Sequence, residues 1–477
     1  MIYSNPEFLL FFMAASALYA LAPAREVRFW VLLGASLVFY AWTGLTDTAI
    51  FLSVVFASWL AVALARRFPA GRKAWIAAGI VVMALHLFFW KYASWATGQV
   101  QRLYPGFLGG LRPDLHLPIG ISFFTLQGIA YLADFAADEA KYMNLPTYLL
   151  FKSFFAQLVA GPIVRARQLL PQLERLERPT SEDVWRGLCL FALGFFKKLV
   201  VADRVAVFVD AVFAAPADFD RVALIKALLG YTAQIWADFS GYTDMGRGAA
   251  RMLGIRLPEN FLSPYLARSP SEFWRRWHVT LSEWIRDYLY IPLGGGKGSP
   301  ARVFAVLIFT FAVSGLWHGA SWHFLLWGLY HGALLVGDRG LRLSEGAERS
   351  SPPFQVLRGC VMFALTVFGW LLFRAPSVAA IGVYLKALAA GTGRAATTHL
   401  HARPVLAFVA LALAMQAVAY QDLKTGRRPV LEFLGSLRLP RGRAVAFAAG
   451  LLLAAVFTVS VLLRPPAGGG NFIYFQF

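Results

Sequence analysis

Two cysteines in 477 residues, Cys189 and Cys360, are too few for a disulfide framework. Both stand in apolar surroundings, so a thiolate metal site is not implied either. Charge is also scarce: 15% of residues are Asp, Glu, Lys or Arg, against 58% hydrophobic. A chain so composed could not cover a water-facing surface. Acidic residues are the scarcer kind, 26 against 45 Lys and Arg, which leaves a net charge of +19. No RNP-like, zinc-finger or basic-zipper pattern accompanies that excess, so nucleic acid is not the implied partner. The sequence holds no H-E-x-x-H, no G-x-S-x-G and no internal repeat of fixed period. Neither a basic n-region nor a small-residue cleavage site marks a signal peptide, so Phe8–Leu21 is expected to be a retained span.

What is present is apolar length. Mean hydropathy is +0.57, and several runs approach the roughly 20 residues that cross a bilayer as helix. The expectation is an all-α polytopic membrane protein, with membrane lipid as its surroundings and roughly eleven to thirteen membrane segments. Phe8–Leu21, Phe29–Trp42, Ala49–Ala65 and Ile76–Phe89 are the first four. Arg25 and Arg28 follow the first, Thr43–Asp47 has no basic residue, and Arg66, Arg67, Arg72 and Lys73 follow the third. That alternation predicts an extracytoplasmic N-terminus, and a fourth loop near Gly98–Asp114 on the outer side. Trp185–Val200, Leu224–Trp236, Val361–Phe373, Val383–Ala389, Val405–Ala419 and Ala444–Leu463 continue the pattern. The aromatic tail Asn471–Phe477 is expected at an interface.

Polar residues inside these runs are the candidates for chemistry. Ser314-Gly315-Leu316-Trp317-His318-Gly319-Ala320-Ser321-Trp322-His323 lies between two apolar runs, Val303–Val313 and Phe324–Val336. An ionisable side chain at membrane depth is costly and usually functional. Gly315, Gly319 and Ala320 leave room for a close approach, and Trp317 and Trp322 can wall a pocket. The alternative is a buried histidine bonded to a backbone carbonyl. Ser122, Thr125 and Gln127 either line a cavity or bond a neighbouring helix. Tyr148–Val164 is interrupted at Gly161-Pro162 and reads as re-entrant. Asp238 and Asp244 do not share a helix face, and each is expected to pair with an arginine or a backbone donor.

Ser269-Pro270-Ser271-Glu272 is a helix start, with Ser269 as N-cap and Glu272 closing a capping box. The helix is expected to continue to Tyr288 and to lie in the cytoplasmic interface. Trp274, Trp277 and Trp284 anchor it, and Arg275, Arg276 and Arg286 make it cationic. Trp274 and His278 would share a face. Gly294-Gly295-Gly296-Lys297-Gly298 fails the phosphate-loop pattern, because Ile291 and Gly298 stand where Gly and Ser or Thr belong. His318 and His323 fall on different helical faces, so no metal site is expected.

These stretches resemble the membrane-bound O-acyltransferases, and within them the bacterial subunits that acetylate alginate and related polymers. Pro118–Asp134, Phe155–Arg165, Trp236–Arg247, Asn260–Gly295, Ser314–His323 and Phe472–Phe477 carry the likeness. It implies one transmembrane domain over 1–477, with N-terminal spans in 1–98, a catalytic core in 115–340 and C-terminal spans in 354–477. It implies a ring of tilted helices with re-entrant segments and a central funnel. It implies His318 as the catalytic residue and a second polar site at His278. Trp317, Trp322, Trp274, Arg275, Arg276, Gln127 and Asp238 are then the substrate-binding candidates. The donor would be acetyl-CoA or another acyl thioester, with no bound cofactor. The acceptor would be a polysaccharide, reached directly or through a periplasmic SGNH-type acyltransferase, from a bacterial inner membrane. His323 and His331 lie outside the Trp-His-Gly core and are expected to tolerate substitution. D-alanyl transfer to teichoic acid is the neighbouring alternative. A transporter using Asp134, Asp238, Asp244 and His318 as a relay would need paired broken helices in two halves, which are not found. A scaffold of a secretion complex is the third reading.

The topology is testable in a cysteine-free background. An impermeant thiol reagent added outside should label a cysteine at Leu45 and spare one at Ala70; the reverse pattern would invert the assignment.

Overall fold

The structure, a computed structural model, describes residues 1, 3–106, 115–159, 161–342, 351–391, 393 and 404–425. The expected run Ala444–Leu463, the aromatic tail and part of the Gly98–Asp114 loop lie outside the described residues. Among those described, the regular elements are helices and there is no β-strand. Among the described residues four helices are long and apolar enough to cross a membrane: Leu45–Arg67, Pro69–Leu103, Pro300–His318 and Pro352–Arg374. The chain divides into two compact units, residues 1–191 with 245–258, and residues 192–244 with 259–425.

In the first unit the helices are α1 (Pro6–Leu21), α2 (Arg25–Ala41), α3 (Leu45–Arg67), α4 (Arg72–Leu103), α5 (Ile121–Ala136), α6 (Leu145–Ser153) and α7 (Ala166–Arg175). Helix α4 has 32 residues, about 48 Å at 1.5 Å per residue. It far exceeds the expected Ile76–Phe89 span and the roughly 30 Å hydrocarbon core. Gly79 lets α3 and α5 close on it: a Cβ there would stand 2.6 Å from Ala61 and 3.2 Å from Leu132. The re-entrant stretch leaves its helix at Phe154, earlier than Gly161-Pro162 suggests. Side chains satisfy its freed carbonyls. The Gln127 amide donates to Val164 at 3.3 Å and Gln157 donates to Phe151 at 2.7 Å, while the Lys152 ammonium of the stretch donates to Phe124 of α5. Irregular backbone at membrane depth persists only with such internal partners.

The second unit holds the end of α8 (Ser181–Phe196), then α9 (Asp203–Ala214), most of α10 (Arg221–Met252), α11 (Pro270–Trp274), α12 (Val279–Ile285), α13 (Pro300–His318), α14 (Trp322–Gly340), α15 (Pro352–Arg374), α16 (Val378–Ala390) and α17 (Val405–Thr425). Its core is aromatic, with Tyr231, Trp277, Trp327, Trp370 and Tyr384 fully buried. Helix α13 opens on Pro300, with the Ser299 hydroxyl accepting from the Arg302 amide at 3.4 Å. It pairs antiparallel with α14 on glycine. A Cβ on Gly315 would strike the Phe324 carbonyl, one on Gly328 the Phe311 carbonyl, and one on Gly332 would reach Ile308 at 3.2 Å. Small residues allow this approach, which dispersion and weak C–H···O contacts then reward.

That crossing sets a stability contrast on one helix. Gly328→Val should lower the melting temperature in detergent, overpacking of a tight site costing about 1–3 kcal/mol. Gly337→Ala, where nothing lies within 4 Å, should be neutral or gain about 0.5–1 kcal/mol from helix propensity.

Candidate active site

His318 occupies the last turn of α13, and Gly319 ends the helix in extended backbone. A Cβ on Gly319 would enter the Phe324 ring, so glycine lets α14 fold back directly beneath the histidine. The ring is buried and walled on three sides. Trp317 and Trp327 each stand 4.9 Å away centroid to centroid, and Phe373 of α15 stands 5.2 Å away. Both the Trp327 and Phe373 rings cross His318 near the perpendicular, at 86° and 79°. Edge-to-face packing of this kind fixes a ring's tilt as well as burying it.

The long helix expected from Pro270 to Tyr288 is not formed. Helix α11 stops at Trp274, and α12 begins at Val279. Between them His278 has φ +44°, a left-handed conformation that breaks the helix and is uncommon without glycine. Trp274 and His278 therefore do not share a helix face. Asn260 holds the break together. Its carbonyl oxygen Oδ1 accepts from the Thr280 amide at 3.1 Å and the Thr280 hydroxyl at 2.8 Å, and lies 3.3 Å from His278 Nδ1. Its backbone carbonyl accepts from Val279 at 3.0 Å. The buried His278 ring meets Phe239 of α10 at 4.7 Å and Trp317 at 6.2 Å. Burial lowers its pKa to about 3, against a smaller opposing backbone hydrogen bond, so the ring is neutral. Trp317 thus contacts both candidate histidines.

Asp238 pairs with a lysine, where an arginine or backbone donor was expected. Lys198 Nζ lies 2.7 Å from Asp238 and 2.8 Å from Asp203, and Lys197 lies 2.7 Å from Asp244. Asp238 and Asp244 are 120° apart around α10 at 100° per residue, with Gly241 midway between them. A Cβ on Gly241 would touch the Gly194 carbonyl, Lys197 and Lys198. The glycine thus brings the backbones together, and adjacent lysines reach to either side of it. They stand on a π-helical turn, Lys197–Ala202, that follows α8. The Asp238 carboxylate is bound into this buried ion triad, which gives it a structural task whatever else it does.

The remaining candidates separate. Trp274 is buried in the core rather than set at an interface, 5.1 Å from His331 and 5.7 Å from Trp327. Arg276 pairs with Glu272 at 2.6 Å and lies 4.7 Å over the Tyr420 ring, while Arg275 is exposed. Trp322 is 50% exposed, and Trp327 takes the place beside His318 that Trp322 was expected to fill. Gln127 belongs to the first unit and braces the re-entrant backbone. His331 is fully buried, 4.9 Å from Trp327, so it shares the aromatic cluster with His318. Asn260, Trp327 and Phe373 were missed. The spacing of four between Trp327 and His331 was a usable signal for a shared face; Asn260 and Phe373 come together with their histidines only through tertiary contacts. Among the described residues no three His, Cys, Asp or Glu side chains gather as metal ligands.

A helical membrane protein with two buried histidines packed against one tryptophan is the class this geometry defines. The sequence profile of the membrane-bound O-acyltransferase family matches residues 110–344. A probable alginate O-acetylase of Azotobacter vinelandii is 38% identical over 79% of this chain and 76% of its own length. One of Pseudomonas putida is 34% identical over the whole of both chains. A peptidoglycan O-acetyltransferase of Helicobacter pylori is 34% identical over 76% of this chain and 73% of its own. The chain belongs to the membrane-bound O-acyltransferase family. It is therefore a multi-pass membrane protein and an O-acyltransferase.

The ion triad predicts a large asymmetry. Lys198→Met, which removes the cation shared by two buried carboxylates, should destabilise the protein by about 3–5 kcal/mol. Lys198→Met combined with Asp203→Asn and Asp238→Asn should recover part of that loss, as read by thermal melting in detergent.

Proposed function

We propose that the protein transfers an acetyl group from a cytoplasmic thioester, acetyl-CoA or a related donor, to hydroxyls of an extracytoplasmic polysaccharide of the alginate type. Transfer is direct or by way of a periplasmic SGNH-type acyltransferase, across a bacterial inner membrane with the N-terminus outside. The observation that carries this reading is the setting of His318. It is a buried imidazole on the last turn of an apolar helix, fixed by Trp317, Trp327 and Phe373, with glycine on its far side. A central funnel, with donor and acceptor entering from opposite faces, belongs to the same proposal.

In this mechanism the imidazole of His318 takes the proton of the acceptor hydroxyl as the oxygen attacks the thioester carbonyl. The new C–O bond forms, the C–S bond breaks, and the imidazolium returns its proton to the departing thiolate. Neutral His278, which also contacts Trp317, supplies a second polar contact for the reacting groups. The exposed Arg275 offers positive charge to a phosphate-bearing donor. Arg276 is already paired with Glu272 and serves mainly to hold α11. Acetyl is favoured over D-alanyl by the names of the relatives described above, two alginate O-acetylases and a peptidoglycan O-acetyltransferase.

His318→Ala and His318→Gln should insert and melt like the wild type yet leave the secreted polymer without esters. Loss of general-base catalysis costs about 10²- to 10⁴-fold in rate. Ester content is measured after mild alkaline release, which also distinguishes acetate from D-alanine. Normal esterification in His318→Ala would refute the assignment, and D-alanine in the released fraction would replace the acetyl reading.

A further inference from the structure

The hydrogen bonds around His278 determine which of its nitrogens carries the proton. The Thr280 backbone N–H can only donate, so the Asn260 side-chain atom it meets at 3.1 Å is oxygen, not the amide nitrogen. That same oxygen lies 3.3 Å from His278 Nδ1. An oxygen that already accepts from Thr280 cannot donate to the ring, so Nδ1 bears the hydrogen. Nε2 therefore carries the lone pair.

The choice of an amide at position 260 is costly. Asn260 is buried, and its Nδ2 has no hydrogen-bond partner among the described residues. A buried, unsatisfied donor is unfavourable. Aspartate would accept from the same three donors without stranding an N–H. What aspartate would add is a negative charge beside the ring, which would favour the imidazolium and remove the lone pair from Nε2. The amide gives the same orientation and leaves the ring neutral. Phe239, Trp317, Asn260 and Thr280 pack on His278, and none of these four ionises. The titratable groups next to them on the same elements are Asp238, held by Lys198, with Glu259 and His318.

We propose that Asn260 is a positioning residue that locks His278 in its Nδ1–H form, so that Nε2 serves the acyl-transfer site as a hydrogen-bond acceptor. The proposal rests on the reading of His278 as part of that site. Asn260 touches no substrate; it acts through the ring it holds.

The test uses the full-length protein in nanodiscs, with acetyl-CoA and alginate oligosaccharide as probes. Asn260→Asp keeps every acceptor and should fold. Its acid limb in kcat should move up by about one to three pH units. Activity lost at mildly acid pH should return towards neutrality, with KM little changed. Asn260→Ser leaves the tautomer unfixed and should lower kcat about five- to tenfold, the scale of one hydrogen bond, whether or not the aspartate variant folds. Melting reads the same coupling without turnover. In the wild type the lowered pKa of His278 means that stability is lost as pH falls below the unfolded value of about 6.5. In Asn260→Asp that loss is offset, so the difference in Tm should move in the variant's favour from pH 8 to pH 5. A constant Tm difference overturns the tautomer assignment even where transfer is not observed. A shifting Tm difference with a wild-type pH profile, or full kcat in Asn260→Ser, overturns the positioning role and leaves His318 as proposed.

Discussion

The close crossing of α13 and α14 is the contact on which the candidate site depends. Three glycines, Gly315, Gly328 and Gly332, let one backbone reach the other. A single Cβ at Gly315 or Gly328 would push the hairpin apart, and one at Gly332 would crowd Ile308. Because the helices touch there, Trp327 of α14 stands against His318 of α13, and Gly319 allows the connecting turn to stay short enough for Phe324 to pack beneath it. Helix α15 then completes the wall with Phe373. The apolar run of α13 supplies only a membrane-length helix; glycine placement turns it into a support for a histidine of fixed tilt.

A second constraint comes from the lack of water at this depth. Each buried polar group needs a partner inside the protein, and the molecule meets that need in three ways. Gln127 and Gln157 donate to carbonyls freed by the re-entrant stretch, and Lys152 of that stretch donates to Phe124 of α5. Lys197 and Lys198 meet three carboxylates beside Gly241, where α10 reaches the end of α8 closely enough for short ion pairs. Asn260 gathers the Thr280 amide, the Thr280 hydroxyl and the His278 ring on one oxygen. The first two arrangements are structural. The third includes a stranded amide N–H, and that apparent waste is what points from stability towards chemistry.

Composition, the apolar runs and the Trp-His-Gly stretch were enough to read a helical membrane protein and the family, because both depend on residue type and local order. The scarcity of charge excluded a soluble fold, and Gly161-Pro162 marked a broken segment whose true start is Phe154. The N-cap at Ser269 was legible too, its hydroxyl accepting from the Glu272 amide. The end of that helix was not. Nothing local at His278 demands φ +44°; the break is held by Asn260, eighteen residues earlier in the chain. Likewise the sequence offered Trp322 as a wall because it is near His318 in order. Only the antiparallel return of α14 places Trp327 there and leaves Trp322 half exposed. The sequence by itself determined which residue types lie at membrane depth, because transfer free energy is a property of side chains. The tertiary structure alone decided which of them meet, because helix crossings at glycine and hydrogen bonds across the chain set distances that order along the chain does not encode.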